Sequence, residues 1–192
     1  MQVGMATLNT QRGQNIVKTP ARQYLSNRVL KTNVGFLLSA GSGNYQDSRL
    51  DIPTPVKVAD DLIVNSINGD LRLTRSKEGI LVQAHLTIQV DNECSRCLDT
   101  VAQDVAITVE ELFAYPASPM SEFSVGADAN LDLAPLLRAE VLIEMSHRIL
   151  CRDECKGLCV TCGANLNYDA CTCDRDAIDP RLAVLKNLLG KE

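Results

Sequence analysis

The sequence predicts an α+β protein in which an antiparallel β-rich domain with a few short helices is followed by a C-terminal cysteine-rich segment. Apolar and polar residues alternate over residues 80–90, turn-forming residues separate several short apolar runs, and six of the eight cysteines lie within residues 151–173. We therefore predict a flexible basic N-terminal arm (1–24), a β-rich α+β domain (25–148) and a cysteine-rich segment with a terminal helix (149–192).

The N-terminal arm differs in charge from the rest of the chain. No acidic residue precedes Asp47, so the net charge of −5 divides into +5 before that residue and −10 from Asp47 onward. A basic arm can contact RNA or the ribosome through phosphates, act as an organellar transit peptide, or remain a solvated tail. The charge pattern leaves all three interpretations open.

The first half of the domain alternates short apolar runs with turn signals. Residues 24–38 could support a short helix, and an extended stretch follows through Leu50 and Ile52. Two strand-like runs, at 62–64 and 71–73, are separated by Asn68-Gly69, a common turn dipeptide. These signals predict an antiparallel meander.

The clearest strands are at residues 80–90 and 101–109, where every second residue is apolar. They predict a hairpin whose tip carries Cys94 and Cys97. A broad apolar face predicts a helix over 132–145, capped by Asn130-Leu131-Asp132, with Pro135 in its first turn. Asp179-Pro180 predicts the start of a final amphipathic helix.

The cysteines occur at close spacings that are typical of zinc ligands. They are Cys94, Cys97, Cys151, Cys155, Cys159, Cys162, Cys171 and Cys173. Zinc accepts four thiolates, and its binding energy can fold a segment that has too few apolar residues to pack by itself. We predict one or two zinc ions. Cys159, Cys162, Cys171 and Cys173 would form a knuckle whose turn is permitted by Gly163, and the other four would tie the hairpin tip to the C-terminal segment.

Other interpretations of these residues remain open. Cys94-Ser95-Arg96-Cys97 matches a thiol-redox motif, although a hairpin turn lacks the helix N-terminus which that chemistry requires. The Cys155, Cys159 and Cys162 spacing also occurs in iron–sulfur enzymes, but their barrel would need a longer chain. His147 could replace a thiolate, whereas His85 lies on the polar face of its strand.

The composition excludes several classes of function. The chain has no Trp and 4% aromatic residues, so it offers no evident platform for stacking bases. It has neither an apolar run of membrane-spanning length nor a secretory signal, and we expect an intracellular protein. Because the chain has no nucleotide-binding or catalytic-triad motif, we expect no enzyme activity and no small-molecule substrate. Four glutamates are expected to be solvated: Glu110, Glu111, Glu140 and Glu144.

Several short motifs together resemble one known family. They are Cys94-Ser95-Arg96-Cys97-Leu98, Glu111-Leu112-Phe113, Leu131-Asp132-Leu133, Cys155-Lys156-Gly157-Leu158-Cys159, Cys162-Gly163, Asn165-Leu166-Asn167, Cys171-Thr172-Cys173 and Asp179-Pro180-Arg181-Leu182. Over roughly residues 30–190 the chain resembles the YceD-like proteins, bacterial and plastid factors associated with accumulation of 23S ribosomal RNA. The resemblance implies a role in large-subunit RNA processing, stability or assembly, in the bacterial cytoplasm or in a plastid.

The leading functional hypothesis is therefore a non-catalytic accessory factor, structured by zinc, that binds large-subunit ribosomal RNA or a pre-ribosomal particle directly or through a protein. Candidate phosphate contacts near the predicted metal sites are Arg96, Lys156, Arg175 and Arg181. The alternatives are a protein-interaction adaptor that never touches RNA and a thiol-redox enzyme that uses Cys94 and Cys97.

Overall fold

The computed structural model describes residues 24–145 and 148–173. Its strands are β1 (Leu25–Ser26), β2 (Lys31–Asn33), β3 (Tyr45–Ile52), β4 (Val56–Ala59), β5 (Leu62–Arg75), β6 (Gly79–Glu93), β7 (Thr100–Ala114) and β8 (Asn130–Asp132). Its helices are a 3-10 turn (Asn27–Leu30), α1 (Gly35–Ser39) and α2 (Ala134–Glu144). The strand-rich α+β fold class is thus confirmed.

One twisted sheet dominates the fold, in the strand order β1-β4-β5-β6-β7, with β3 also paired to β5. Strands β5, β6 and β7 form an antiparallel meander, and β3 and β4 pair with successive parts of β5. The β6–β7 pairing runs without a register shift from Gly79 opposite Ala114 to Glu93 opposite Thr100. The predicted hairpin is therefore present, with its tip at residues 94–99.

The core lies on one face of this sheet. Alternate residues of β6 and β7, such as Ile88 and Ile107, are buried there. Helix α2 covers this face with Leu136, Leu137 and Val141, and it contacts both β4 and β7. The opposite face is polar, because the intervening side chains of the same strands point to solvent.

Two predicted helix boundaries were wrong. Residues 24–38 do not form one helix, because Lys31–Asn33 pairs as β2 with residues 130–132 (β8) in a separate two-stranded sheet. The same pairing makes Asn130–Asp132 a strand rather than a helix cap, so α2 begins at Ala134, with Pro135 in its first turn. Asp132 still accepts a hydrogen bond from the Ala134 N–H at 3.0 Å.

The predicted turn at Asn68-Gly69 is also absent, because both residues lie inside the continuous strand β5. Gly69 has φ of 152°, and a Cβ placed there would lie 2.0 Å from the His85 carbonyl oxygen on β6. The glycine therefore allows a close approach between two strands rather than a reversal of the chain. The predicted arm (1–24) lies outside the described residues except for Tyr24. His147 and the helix predicted after Asp179 also lie outside them.

Candidate metal centre

The tip of the β6–β7 hairpin presents Cys94 and Cys97 from a tight turn. The Cys94 N–H donates to the Asp99 carbonyl, the Leu98 N–H donates to the Cys94 carbonyl, and Leu98 has φ of 62°. The Ser95 N–H donates to the carbonyl of Ile149 and so holds the C-terminal segment against the tip. This arrangement places Cys94 and Cys97 between two strands and not at a helix N-terminus.

The first cluster consists of Cys94, Cys97, Cys151 and Cys155, whose sulfur atoms all lie within 4.8 Å of one another. The Cys94 and Cys155 sulfurs are 3.8 Å apart, and those of Cys97 and Cys151 are 3.5 Å apart. A zinc tetrahedron with bonds of about 2.3 Å has sulfurs about 3.8 Å apart, whereas a disulfide bond is about 2.05 Å long. The spacing fits a metal ion and is too long for disulfides.

The second cluster consists of Cys159, Cys162, Cys171 and Cys173, with the same limit of 4.8 Å between sulfur atoms. The Cys171 sulfur lies 3.4 Å from that of Cys159 and 3.5 Å from that of Cys162. Cys162 is exposed, whereas three of the four cysteines in the first cluster are buried. The cysteines fall into the two predicted groups, and the structure adds that the first cluster is more buried than the second.

Backbone amides favour the charged form of at least one thiol in each cluster. The N–H groups of Cys162 and Thr161 lower the pKa of Cys159 to about 6. Gly163, with φ of 73°, closes this turn by donating its N–H to the Cys159 carbonyl. Burial raises the pKa of Cys94, but the N–H groups of Cys97 and Arg96 outweigh burial and lower that pKa to about 6.

The crowded thiols oppose further ionisation. The side chains of Cys171 and Cys162 raise the pKa of Cys173 to about 12. Burial likewise raises the pKa of Cys151. Four thiolates this close together repel one another, so a dication among them is needed for all four to ionise. The donor set and its spacing therefore fit zinc.

Polar side chains that were not predicted as site residues connect the two clusters. The Asp99 carboxylate accepts hydrogen bonds from the Asn165 amide (3.1 Å) and the Tyr168 hydroxyl (3.0 Å). The Asn167 amide donates to the Cys155 sulfur at 3.4 Å, and its oxygen accepts from the Lys156 N–H. Asn165 and Asn167 were visible only as part of the family resemblance, and no spacing in the sequence indicated Asp99 or Tyr168.

The two described candidate phosphate contacts lie beside the first cluster. Arg96 donates a hydrogen bond to the Cys155 carbonyl at 3.0 Å, so it also holds the loop that carries Cys155 against the hairpin tip. Lys156 is exposed. Gly157 has φ of 72°, and a Cβ there would lie 3.1 Å from the Arg96 carbonyl, which explains a glycine at this position. Arg175 and Arg181 lie outside the described residues.

The remaining candidates lie on the sheet and on α2, away from the cysteines. His85 is exposed on the polar face of β6, where its ring lies 3.3 Å from the Thr108 hydroxyl. Glu110 and Glu144 are exposed, and Glu111 and Glu140 are partly exposed. No helix among the described residues has the length and apolarity needed to cross a bilayer.

Together these features define a class of protein: an antiparallel sheet whose hairpin tip is joined to a C-terminal segment by paired four-cysteine clusters of the metal-binding kind. A family model described as large ribosomal RNA subunit accumulation protein YceD matches residues 82–189. The chain belongs to this family.

Relatives support this assignment. An uncharacterized Mycobacterium leprae protein is 34% identical over 151 residues, which cover 73% of this chain and 69% of that protein. A chloroplastic protein of Zea mays, named large ribosomal RNA subunit accumulation protein YCED homolog 1, is 44% identical over 48 residues, 24% of this chain and 16% of its own. The Bacillus subtilis protein YlbN is 29% identical over 103 residues, 52% of this chain and 60% of its own. No solved structure matches the chain.

Proposed function

We propose that this protein is a non-catalytic accessory factor in the accumulation of large-subunit ribosomal RNA and in assembly of that subunit, with zinc in both cysteine clusters. The family description supports the role in RNA accumulation. The two clusters, whose sulfur atoms are spaced as a tetrahedral metal site requires, support the proposal of zinc. The protein would act in the bacterial cytoplasm, or in a plastid if residues 1–24 are a transit peptide.

Zinc is the best-fitting metal because all eight donors are thiolates in two sets of four. Such closed sites leave no open position for a substrate, which is typical of structural zinc. The first ion would hold the C-terminal segment against the hairpin tip, and the second would fold residues 159–173. On this proposal Cys94 and Cys97 are metal ligands and not a redox pair.

The surface around the clusters is the best candidate for RNA contact. Arg96, Arg148, Arg152 and Lys156 lie in or beside this part of the chain. The cysteine-rich end also carries acidic residues, such as Asp153 and Glu154, but the long strands β6 and β7 carry acidic residues and no Lys or Arg at all. Because binding to phosphate depends on cations, we assign RNA contact to the cysteine-rich end and not to the sheet.

Sedimentation of the tagged protein from cell extract tests this proposal. We expect wild-type protein to migrate with large-subunit precursors at low salt, and to move to the top of the gradient after ribonuclease treatment. Replacing Arg152 and Lys156 by Glu should release it with zinc content unchanged, whereas the matched change of Arg49 and Lys77, which are remote from the clusters, should not.

Two results would contradict parts of the proposal. Co-migration that survives ribonuclease and moderate salt would mean that a protein holds the factor on the particle, which makes it an adaptor. Absence from every ribosomal fraction at both salt concentrations would contradict stable association with the subunit.

A further inference from the structure

From the exposed, acidic edge of β7 we infer a second binding surface, which takes an extended Lys/Arg-rich segment of a partner protein as an added strand. This surface lies on the sheet and is separate from the proposed RNA contact at the cysteine clusters. It therefore does not depend on the proposed function.

On the side of β7 that faces away from β6, the backbone N–H and C=O groups of alternate residues have no neighbouring strand among the described residues. At the two ends of the hairpin, the Asp99 carbonyl and the Tyr115 N–H bond across to Cys94 and Glu78, so odd-numbered residues face β6. Ala114, an even-numbered residue, points the other way and bonds to Phe123 and Val125 instead. Since the pairing has no register shift, the even-numbered residues from Ala102 to Glu110 also direct their N–H and C=O groups away from β6.

Within residues 24–145 and 148–173, no strand pairs with this side of β7 before Ala114. At Ala114, the end of β7, Ser124 of the same chain already forms a parallel β-bridge with this edge. The edge can therefore pair with an additional strand. Edge strands usually carry charged side chains, especially Lys, or Pro or a bulge that prevents such pairing. Strand β7 has no Lys, Pro or bulge, and its only charges are carboxylates, which a basic strand would neutralise.

Charge identifies the kind of strand that would fit. Strands β6 and β7 carry five acidic residues and no Lys or Arg: Asp91, Glu93, Asp104, Glu110 and Glu111. The exposed carboxylates of Asp104 and Glu110 accept hydrogen bonds from the neutral amides of Gln89 and Gln83, respectively. An extended segment with a cation at every second position would place its positive charges beside them.

A second copy of this chain fits the same edge poorly. Pairing two β7 strands would bring acidic side chains of one copy next to those of the other, and like charges across adjacent strands are destabilising. The opposite edge, β3, alternates Asp47, Arg49 and Asp51 and so has no single sign of charge. A basic partner is therefore specific to β7.

Fluorescence anisotropy with a labelled synthetic peptide that alternates Lys and Thr, as long as β7, tests the inference on the full-length protein at low salt. We expect saturable binding, and a loss of about tenfold or more in affinity when alternate backbone nitrogens of the peptide are methylated. Methylation removes main-chain hydrogen bonds and leaves the peptide's charge unchanged, so it separates strand addition from general attraction between charges.

Two protein variants locate the surface. Ala106→Pro removes one outward N–H without touching the β6 ladder, and it should weaken binding, whereas Ala106→Thr should not. Reversing Asp104 and Glu110 to Lys should also weaken binding. The matched reversal of two other exposed carboxylates, Asp51 on β3 and Glu144 at the end of α2, should leave it within about twofold of wild type.

Several results would overturn the inference. They are no saturable binding, equal affinity for the methylated peptide, or an equal loss in the Asp51/Glu144 control. Self-association that Ala106→Pro abolishes would assign the edge to a second copy instead. Should Ala106→Pro fail to fold, the methylated peptide and the charge reversal still decide the question.

Discussion

Asp99 shows how one carboxylate can connect two parts of the molecule. It lies two residues after Cys97 and accepts hydrogen bonds from Asn165 and Tyr168, which belong to the loop that carries the second cluster. The hydrogen bond and the negative charge of Asp99 raise the pKa of Tyr168 above its ordinary value near 10. The raised pKa means that the folded protein prefers the neutral phenol.

This preference has a defined pH dependence. Because the Tyr168 pKa is higher in the folded than in the unfolded chain, the Asp99–Tyr168 contact contributes fully below pH 10 and is lost as the pH rises through the folded-state pKa. We expect Asp99→Asn to return the Tyr168 titration, followed by phenolate absorbance, to the ordinary range. Tyr168→Phe should remove the part of the absorbance change that occurs above the ordinary tyrosine pKa. If the Tyr168 titration is unchanged in Asp99→Asn, a group other than Asp99 raises its pKa.

At the scale of single elements, Gly69 is the residue on which the pairing of β5 with β6 depends most directly. An added Cβ would lie 2.0 Å from the His85 carbonyl oxygen and 2.8 Å from the Leu86 Cα, and both are backbone atoms that cannot move alone. The strands would have to separate or slip locally.

We therefore expect Gly69→Ala to lower the free energy of unfolding by about 2–4 kcal/mol in urea denaturation. Gly41→Ala is the matched control, because its Cβ would meet only the Asn44 side chain, at 3.8 Å. Its effect should stay below about 1 kcal/mol. Equal effects of the two changes would show that the close approach at Gly69 is not the cause.

The elements also differ in how far the sequence could predict them. Strands β6 and β7 were predictable because each has a long period-two pattern that decides its exposed face locally. Strand β2 was not, since Thr32 forms a strand only by pairing with Leu131, far along the chain. Asn68-Gly69 has the composition of a turn, and only the neighbouring strand shows that Gly69 serves a close approach.

The candidate site was predictable to a different degree. Cysteine spacing favoured the two groups of four that the structure shows, because close pairs can share one small ion, but spacing alone did not fix which pairs join. It could not identify Asp99 or Asn167, whose roles depend on how the hairpin tip and the C-terminal loop meet in space.

Across the whole molecule, the cysteines and the apolar core form separate units. The large core on the inner face of the sheet contains no cysteine, while Cys94, Cys97 and Cys155 form a second, smaller buried cluster. Removal of the proposed zinc should therefore unfold the cysteine-rich end and leave the sheet intact.

Hydrogen exchange with and without a strong zinc chelator measures this difference. Amides of Ile88 and Ile107 should stay protected, whereas those of Cys159 and Leu166, which bond within the loop, should exchange faster. Added zinc should restore their protection. Loss of protection throughout the sheet after chelation would show that the core cannot fold without the metal.

The two clusters span very different lengths of chain, and this difference sets an order of events during synthesis. Cys94 and Cys155 are 61 residues apart, whereas Cys159 and Cys171 are 12 apart. On a growing chain, Cys94 and Cys97 emerge first and remain a half-site while β7, β8 and α2 are made. The first candidate metal site therefore cannot be completed until Cys155 has been made, after the whole of the β6–β7 hairpin, and the second not until Cys173 has been made.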